Sequence, residues 1–328
     1  MGVLIAVGFD LSRLNTESYA YKNFPVDGEF RNIEVRAEEC DIRLTPAEDG
    51  PCRVVTPDSD GIVTRVEVSG DTLTVIRTDT RRWYERIGFF WWRSAGEPLS
   101  LTVYLPETEY ESVLLKSVSG NIAVPALYTF ACADVQTTSG NIEFAAHTDG
   151  LNVRSTSGDI DARNVHGGAL KAFTVSGNIE LNGIVCDSWN VQTTSGDIDA
   201  EAVTVSGAAA LQTTSGDITL LDVTAGTWRT QTTSGYVHAE FVLAEGAAQW
   251  KSVSGDLTLL GTDAAAITIE TVSGNVDGRL CSGKTFLTET TSGDIRVPAS
   301  DPAGGECRIT TVSGDVRLIT DASVAAES

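Results

Sequence analysis

From residue 113 onward, apolar and polar residues alternate in short runs that break at a fixed interval. Each break carries a Ser-Gly pair followed by Asp, Asn or Tyr. The serines are Ser119, Ser139, Ser157, Ser176, Ser195, Ser215, Ser234, Ser254, Ser273, Ser292 and Ser313, with gaps of 18 to 21 residues. Six residues before these markers stand apolar side chains such as Val113, Trp189 and Ile267. Four before stand mostly apolar ones such as Leu115, Val191 and Ile269, and two before every copy has Ser or Thr. This is the period-two alternation of a strand with one buried face. After the marker the apolar phase moves to odd offsets: Ile122, Ile198 and Val276 lie three on, and Val124, Leu220 and Leu259 five on. A strand cannot change parity without a bend. The pattern therefore predicts strand, corner, strand and variable loop, repeated eleven times over 113–318.

The corner falls on Ser-Gly-Asp/Asn. Its glycines are Gly120, Gly140, Gly158, Gly177, Gly196, Gly216, Gly235, Gly255, Gly274, Gly293 and Gly314. Glycine tolerates positive φ, and Asp or Asn bonds its own local backbone, so both suit a turn. A period of 19–20 residues fits a solenoid rung, whereas a propeller blade needs about 40. Parallel rungs about 4.8 Å apart would bring identical columns together in a rod of about 50 Å. The Ser/Thr column two before the marker is expected inward, as a hydroxyl ladder. The Val/Thr column beside it (Val118, Thr138, Thr156, Val175 onward) is expected outward. The fold class is all-β, a parallel β-helix.

Residues 19–112 lack the marker yet read as strands: "FRNIEVRAEECDIRLTP", "CRVVTP", "TRVEVSGDTLTVIRT" and "LSLTVYLP". A solenoid end needs a cap, and this region is the natural irregular one; "VSGDTLTV" at 68–75 reads as a degenerate corner or a hairpin. Residues 319–328 form a polar tail. An insertion at 79–98, "DTRRWYERIGFFWWRSAGEP", crowds Trp83, Tyr84, Phe89, Phe90, Trp91 and Trp92 among Arg81, Arg82, Arg86 and Arg93. It reads either as a plug for the solenoid end or as a contact for a membrane interface or partner, where Trp, Tyr and Arg favour headgroups.

Charge narrows the partners. The net charge is −22. Residues 1–118 hold 13 basic and 20 acidic residues (−7), and 119–328 hold 10 and 25 (−15). An acidic rod is not a nucleic-acid binder, which needs Lys and Arg against phosphate. The six cysteines form no Cys-x-x-Cys; Cys307 falls in an inward column, and Cys40 and Cys52 flank a hairpin and could pair. The corner acids Asp159, Asp197, Asp217, Asp256, Asp294 and Asp315 form a column with Asn121, Asn141, Asn178 and Asn275. Its structural use at the corner outweighs a calcium site, which would need six to eight oxygens. His147 and His166 fall on adjacent loops without a third ligand, and the lysines are too scattered to supply a base. No catalytic residue, cofactor or metal is assigned.

The repeated "TTSGDI" and the stretch "LSLTVYLPETEYESVLLKSVSGNI" at 99–122 resemble the bacterial "putative adhesin" family of repeat β-helix proteins, over roughly 30–318. The resemblance implies a right-handed parallel β-helix outside the cytoplasm. It also implies that residues 1–18, including "GVLIAVGFDLSRL", are the end of a single transmembrane helix. It supplies no catalytic residue. The implied function is a non-enzymatic surface rod, structural or adhesive, for a glycan or protein ligand. The alternative is a carbohydrate-active β-helix enzyme, a polysaccharide lyase or hydrolase.

Overall fold

The computed structural model of the chain describes residues 20–48, 50–58, 61–81 and 99–321. These residues form a parallel β-solenoid, all-β, with 26 strands in one continuous hydrogen-bonded system. Equivalent columns stack in register: Ile198 on Ile218, Ile218 on Val237, and Val237 on Leu257. All four side chains are buried.

The buried phase changes more than once in each rung. In the rung from Ile198, the side chains of Ile198 and Ala200 point inward, and Glu201 and Ala202 both face solvent. Val203 and Val205 turn inward again, the chain bulges outward at Ser206–Ala208, and Ala209, Leu211 and Thr213 return to the core. Thr214 and Ser215 then face out together, and Gly216 tucks in. The rung thus bends at three places. The first bend lies on the Thr-Ser pair, with the glycine on its inner side.

Glycine is needed at that bend for a different reason from the one expected. None of the eleven corner glycines has positive φ. Ten of them instead lie against the glycine of the neighbouring rung, and Gly120 against Cys40. A Cβ on Gly196 would stand 1.8 Å from the carbonyl oxygen of Gly177, and one on Gly216 1.7 Å from that of Gly196. Positive φ appears at the second bend, seven residues after the marker, at Asn164, Gly183, Ala202, Asp222, Phe241 and Gly261.

The core alternates large and small residues down a column, which fills it without overpacking. Trp189 pairs with Ala209, Ala209 with Trp228, and Trp228 with Ala248. The indoles meet past the alanines: Trp189 and Trp228 lie edge to face with centroids 6.0 Å apart, and Trp228 and Trp250 lie at 5.9 Å. The Trp228 Nε1–H donates to Thr230 Oγ1 at 2.7 Å, which explains a threonine in an apolar column.

Rungs follow chain order through the middle of the rod but not at its ends. Asn32–Ala37 pairs with Ser112–Ser117 on one side and with Thr72–Arg77 on the other. Asp41–Pro46 pairs likewise with Ser100–Leu105, and Ile42 with Ile122. Residues 32–46 are therefore a full rung, held between two levels that both come later in the chain. Its corner was not recognisable because Cys40-Asp41 stand where other rungs have Gly-Asn; a Cβ on Gly120 would meet the Cys40 carbonyl at 1.8 Å. Among the described residues no glycine corner lies beneath Cys40, which leaves room for its side chain; the strands below are Thr72–Asp79 and Ser100–Leu105. Beyond them the sheet turns antiparallel. Ile62–Ser69 covers Thr72–Asp79, Arg53–Val55 covers Thr102–Tyr104, and Ala20–Pro25 covers Arg53–Asp58. The stretch at 68–75 is thus a hairpin, turning at Gly70 with φ +63°.

The C-terminal end is inverted in the same way. Ile267–Glu270 and Val276–Leu280 stack on Cys307–Thr310 and Val316–Thr320, the last rung of the chain. The rung before it in sequence, Lys284–Thr290 with Ile295–Arg296, lies outside it. The last strand is therefore paired on both sides, which protects it from fraying.

Candidate functional site

The corner column shows where the recurring polar residues are used. From Ser117 to Thr213 the buried hydroxyl bridges two rungs, whereas Ser252, Thr271 and Thr311 bond the N–H and carbonyl of their own corner glycine. Thr193 Oγ1 accepts from the Gly196 N–H at 3.1 Å and donates to the Gly177 carbonyl at 3.1 Å. Thr174 does the same between Gly177 and Gly158, and Ser155 between Gly158 and Gly140. The inward hydroxyl column exists, but its partners are glycine backbones rather than other hydroxyls. The corner acids and amides also reach across rungs instead of bonding their own backbone. Asp159 Oδ1 accepts from the Asn178 N–H, Asn178 Oδ1 from Asp197, and Asp197 Oδ1 from Asp217, at 2.8–2.9 Å. Tyr236 interrupts this ladder, since it brings no carboxylate or carboxamide to the column. The outward Val column is exposed at Val118, Val253, Val272 and Val312.

Two outward faces carry different chemistry. On the strand after the corner, Glu143, Asp161, Glu180 and Asp199 are direct neighbours in the ladder. Like charges opposite each other are unfavourable. Arg163 relieves part of this, with a guanidinium nitrogen 2.7 Å from Asp161 and 3.4 Å from Glu180. On the strand before the corner many outward residues of the middle rungs are amides and cations, with Phe173 and Ala210 among them. Gln192, Gln212 and Gln231 stack in register and lead to Lys251. Beside them run Asn152, Lys171 and Asn190, then Arg229 and Gln249. These outward columns can be read from the same alternation as the inward ones, at offsets three and five before the marker, once the inward phase is known.

The four buried thiols, Cys40, Cys52, Cys186 and Cys307, are packing groups, whereas Cys132 and Cys281 are exposed. All six cysteines are free, so Cys40 and Cys52 are not bridged; both are buried. Burial pushes Cys52 and Cys186 up to about 11 and Cys307 to about 12, so these three stay protonated and unreactive at neutral pH. Burial also raises Cys40, opposed by the nearby Arg77 charge. Lys284, one of the scattered lysines, is buried. Its Nζ donates to the Ala264 carbonyl at 2.7 Å and pairs with Asp263 at 2.5 Å. Burial alone would raise Asp263, but hydrogen bonds from Lys284 and Ser282 outweigh it and hold the carboxyl below its ordinary range. The pair neutralises itself at the rod's end.

A groove of about 1120 Å³ lies at the N-terminal part beside Phe30, Tyr110 and Phe130, and Glu29, Glu109 and Glu111 also line it. Phe30 stacks on Tyr110 and Tyr110 on Phe130, with centroids 6.1 and 5.9 Å apart. His147 and His166 do meet, at 5.2 Å between centroids. Among the described residues no three His, Cys, Asp or Glu side chains converge on a point where a metal ion could sit. Arg81 forks onto Asp79, with Nη2 2.8 Å from Oδ2. Arg82, Trp83, Tyr84, Arg86, Phe89, Phe90, Trp91, Trp92 and Arg93 lie outside the described residues, as do residues 1–19. Among the described residues no helix is long and apolar enough to cross a membrane.

Residues 30–247 and 221–328 match the family described as Toastrack DUF4097, which together is most of the chain. The chain belongs to that family. No curated protein matches it. Among solved structures it is similar to a "putative adhesin" from Bacteroides fragilis, with 15% identity, 92% of this chain and 97% of the other covered, and a TM-score of 0.34. It is also similar to a "putative lipid binding protein" from Parabacteroides distasonis (13%, 92% and 96%, TM-score 0.33) and to a "putative cell adhesion protein" from Clostridium sporogenes (8%, 93% and 100%, TM-score 0.20). Likenesses this distant assign no ligand or activity.

Proposed function

We propose that this member of the Toastrack family is a non-enzymatic rod that works outside the cytoplasm and presents a flat side for adhesion. The observation that carries this reading is the use made of its repeated polar residues. Thr193, Gly196 and Asp197 and their counterparts bond to a neighbouring rung or, at Ser252, Thr271 and Thr311, to their own corner, rather than converge on a reacting centre. The sequence is repeated in order to build length. Length is useful to a spacer or an adhesive surface, and a single catalytic centre does not need it. The amide and cation side, with Gln192, Gln212 and Gln231 at strand spacing, offers a regular row of donors and acceptors to an extended glycan. In this reading residues 1–18 anchor the rod, the N-terminal end lies nearest the bilayer, and the aromatic and arginine cluster at 81–93 rests on headgroups.

A glycan array followed by a product assay tests the proposal. Binding without turnover, lost when Gln192 and Gln231 are both changed to Leu, is the expected result. Release of shorter sugars would replace it with the polysaccharide lyase or hydrolase reading, and binding that ignores the Gln192→Leu/Gln231→Leu change would remove the proposed face. For the anchor, co-sedimentation with anionic but not neutral vesicles is expected, and equal, negligible binding to both would remove the headgroup contact.

A further inference from the structure

The two ends of the rod are finished differently, and the difference points to a contact between copies. At the N-terminal end antiparallel strands close the sheet. At the other end no described strand covers the last level, and only residues 300–301 fold against its start, where the Phe286 N–H donates to Ser300 Oγ at 3.0 Å and the Asp301 N–H to the Lys284 carbonyl at 2.9 Å. Lys284–Thr290 pairs with Gly305–Thr311 alone, and Ile295–Arg296 pairs with Val316–Arg317 alone. Beyond Phe286 no described strand pairs with their outer edges, and such an edge is the template that sheets use to add strands. The inward columns are also open there. Ile267 and Val276 on an inner level are 2% and 0% exposed, whereas their counterparts Phe286 and Ile295 on the last level are only half-buried, as is Val297.

We infer that this end is an interface at which two copies of the chain join tail to tail. A head-to-tail stack is disfavoured because the antiparallel N-terminal strands do not continue the parallel rungs. A two-fold contact needs only the exposed edge itself. The edge is self-complementary in charge: Asp294 and Arg296, both exposed, flank Ile295. A two-fold axis at Ile295 places each Asp294 opposite the Arg296 of the second copy and closes the half-buried Phe286, Ile295 and Val297 against their equivalents. Asp294 is also the last carboxylate of the corner ladder. Its own N–H is bonded to Asp315 Oδ1 at 2.9 Å, and no further described rung lies beyond to donate to its side chain. For a rod held by its N-terminus, a consequence that rests on the anchoring proposed above, this end faces outward and joins opposed surfaces.

Sedimentation of the full chain over a concentration series tests the pairing in solution, independently of any anchor. A species of twice the 34.8 kDa chain mass is expected, and electron microscopy should show rods of doubled length. Arg296→Glu should raise the dimer dissociation constant at least tenfold, roughly 1.4 kcal/mol. The swap Asp294→Arg with Arg296→Asp should restore it, while thermal melts of all variants stay close to the parent because both side chains are exposed. A monomer at every concentration, side-by-side dimers, or a swap that fails to restore pairing would each overturn the inference. Beads carrying the chain by its N-terminus should clump and beads carrying it by its C-terminus should not; the reverse would also overturn it.

Discussion

The first and second bends of each rung solve the same problem with opposite chemistry. Both reverse the inward phase within two residues. The first does so with ordinary φ values and a fixed sequence, because its backbone lies against the identical bend of the next rung and a buried hydroxyl ties the two together. In the six rungs with markers from Ser157 to Ser254 the second uses a left-handed residue, yet its occupants are as varied as Asn164, Ala202, Asp222 and Phe241. Sequence regularity therefore tracks contact between rungs and not backbone strain. An exposed left-handed residue costs on the order of 1–2 kcal/mol for a side chain with Cβ, and a long rod tolerates that cost. A side chain between stacked corners would part the ladder itself.

Substitutions across the two bends should follow that division. Gly196→Val is expected to have the largest effect, a loss of at least about 3 kcal/mol, the upper end of overpacking penalties, because the obstacle is the Gly177 carbonyl and not a movable side chain. Chemical denaturation reads it directly, and a loss below that of Asp197→Ala would break the comparison. Thr193→Val keeps the shape but strands the Gly196 N–H and the Gly177 carbonyl; about 2 kcal/mol should be lost, and Thr193→Ser should recover most of it in the same melts. Asp197→Ala removes one exposed bond to the Asp217 N–H and should cost about 1 kcal/mol, with faster amide exchange at Asp217 as its local sign. At the second bend the sign reverses. Ala202→Gly relieves the left-handed strain against the extra freedom of glycine when unfolded, for a net gain of about 0.5 kcal/mol; a clear loss of thermal stability would show that Ala202 packs in a way its exposure does not suggest.

The period, the columns and the inward hydroxyls were legible in the sequence because each rung repeats them, so Ile198, Ile218 and Val237 declare one another. Three features were not. The reason for glycine was misread, since a lone Ser-Gly-Asp looks like a turn that needs positive φ, and the atom that forbids a Cβ belongs to another rung. The corner of the rung at 32–46 could not be placed because Cys40 stands where the marker glycine would be, at a level where no glycine lies below among the described residues. The inverted order of the end rungs left no trace in the spacing: Ser292 and Ser313 are 21 residues apart in an otherwise regular series, and only pairing distinguishes the outer rung from the inner. The Lys284–Asp263 pair was hidden for a similar reason, as its two residues lie on different rungs and neither falls in a repeated column.

The central claim is that corner glycines are required by the neighbouring rung and not by their own φ. Urea unfolding of Gly196→Ala and Ala202→Gly, measured side by side, tests it most directly. A methyl group should shift the midpoint sharply down at Gly196, and its removal should leave the midpoint unchanged or slightly higher at Ala202. If Gly196→Ala leaves the midpoint unmoved, or if Ala202→Gly lowers it by as much, the close approach between corners does not account for the repeat.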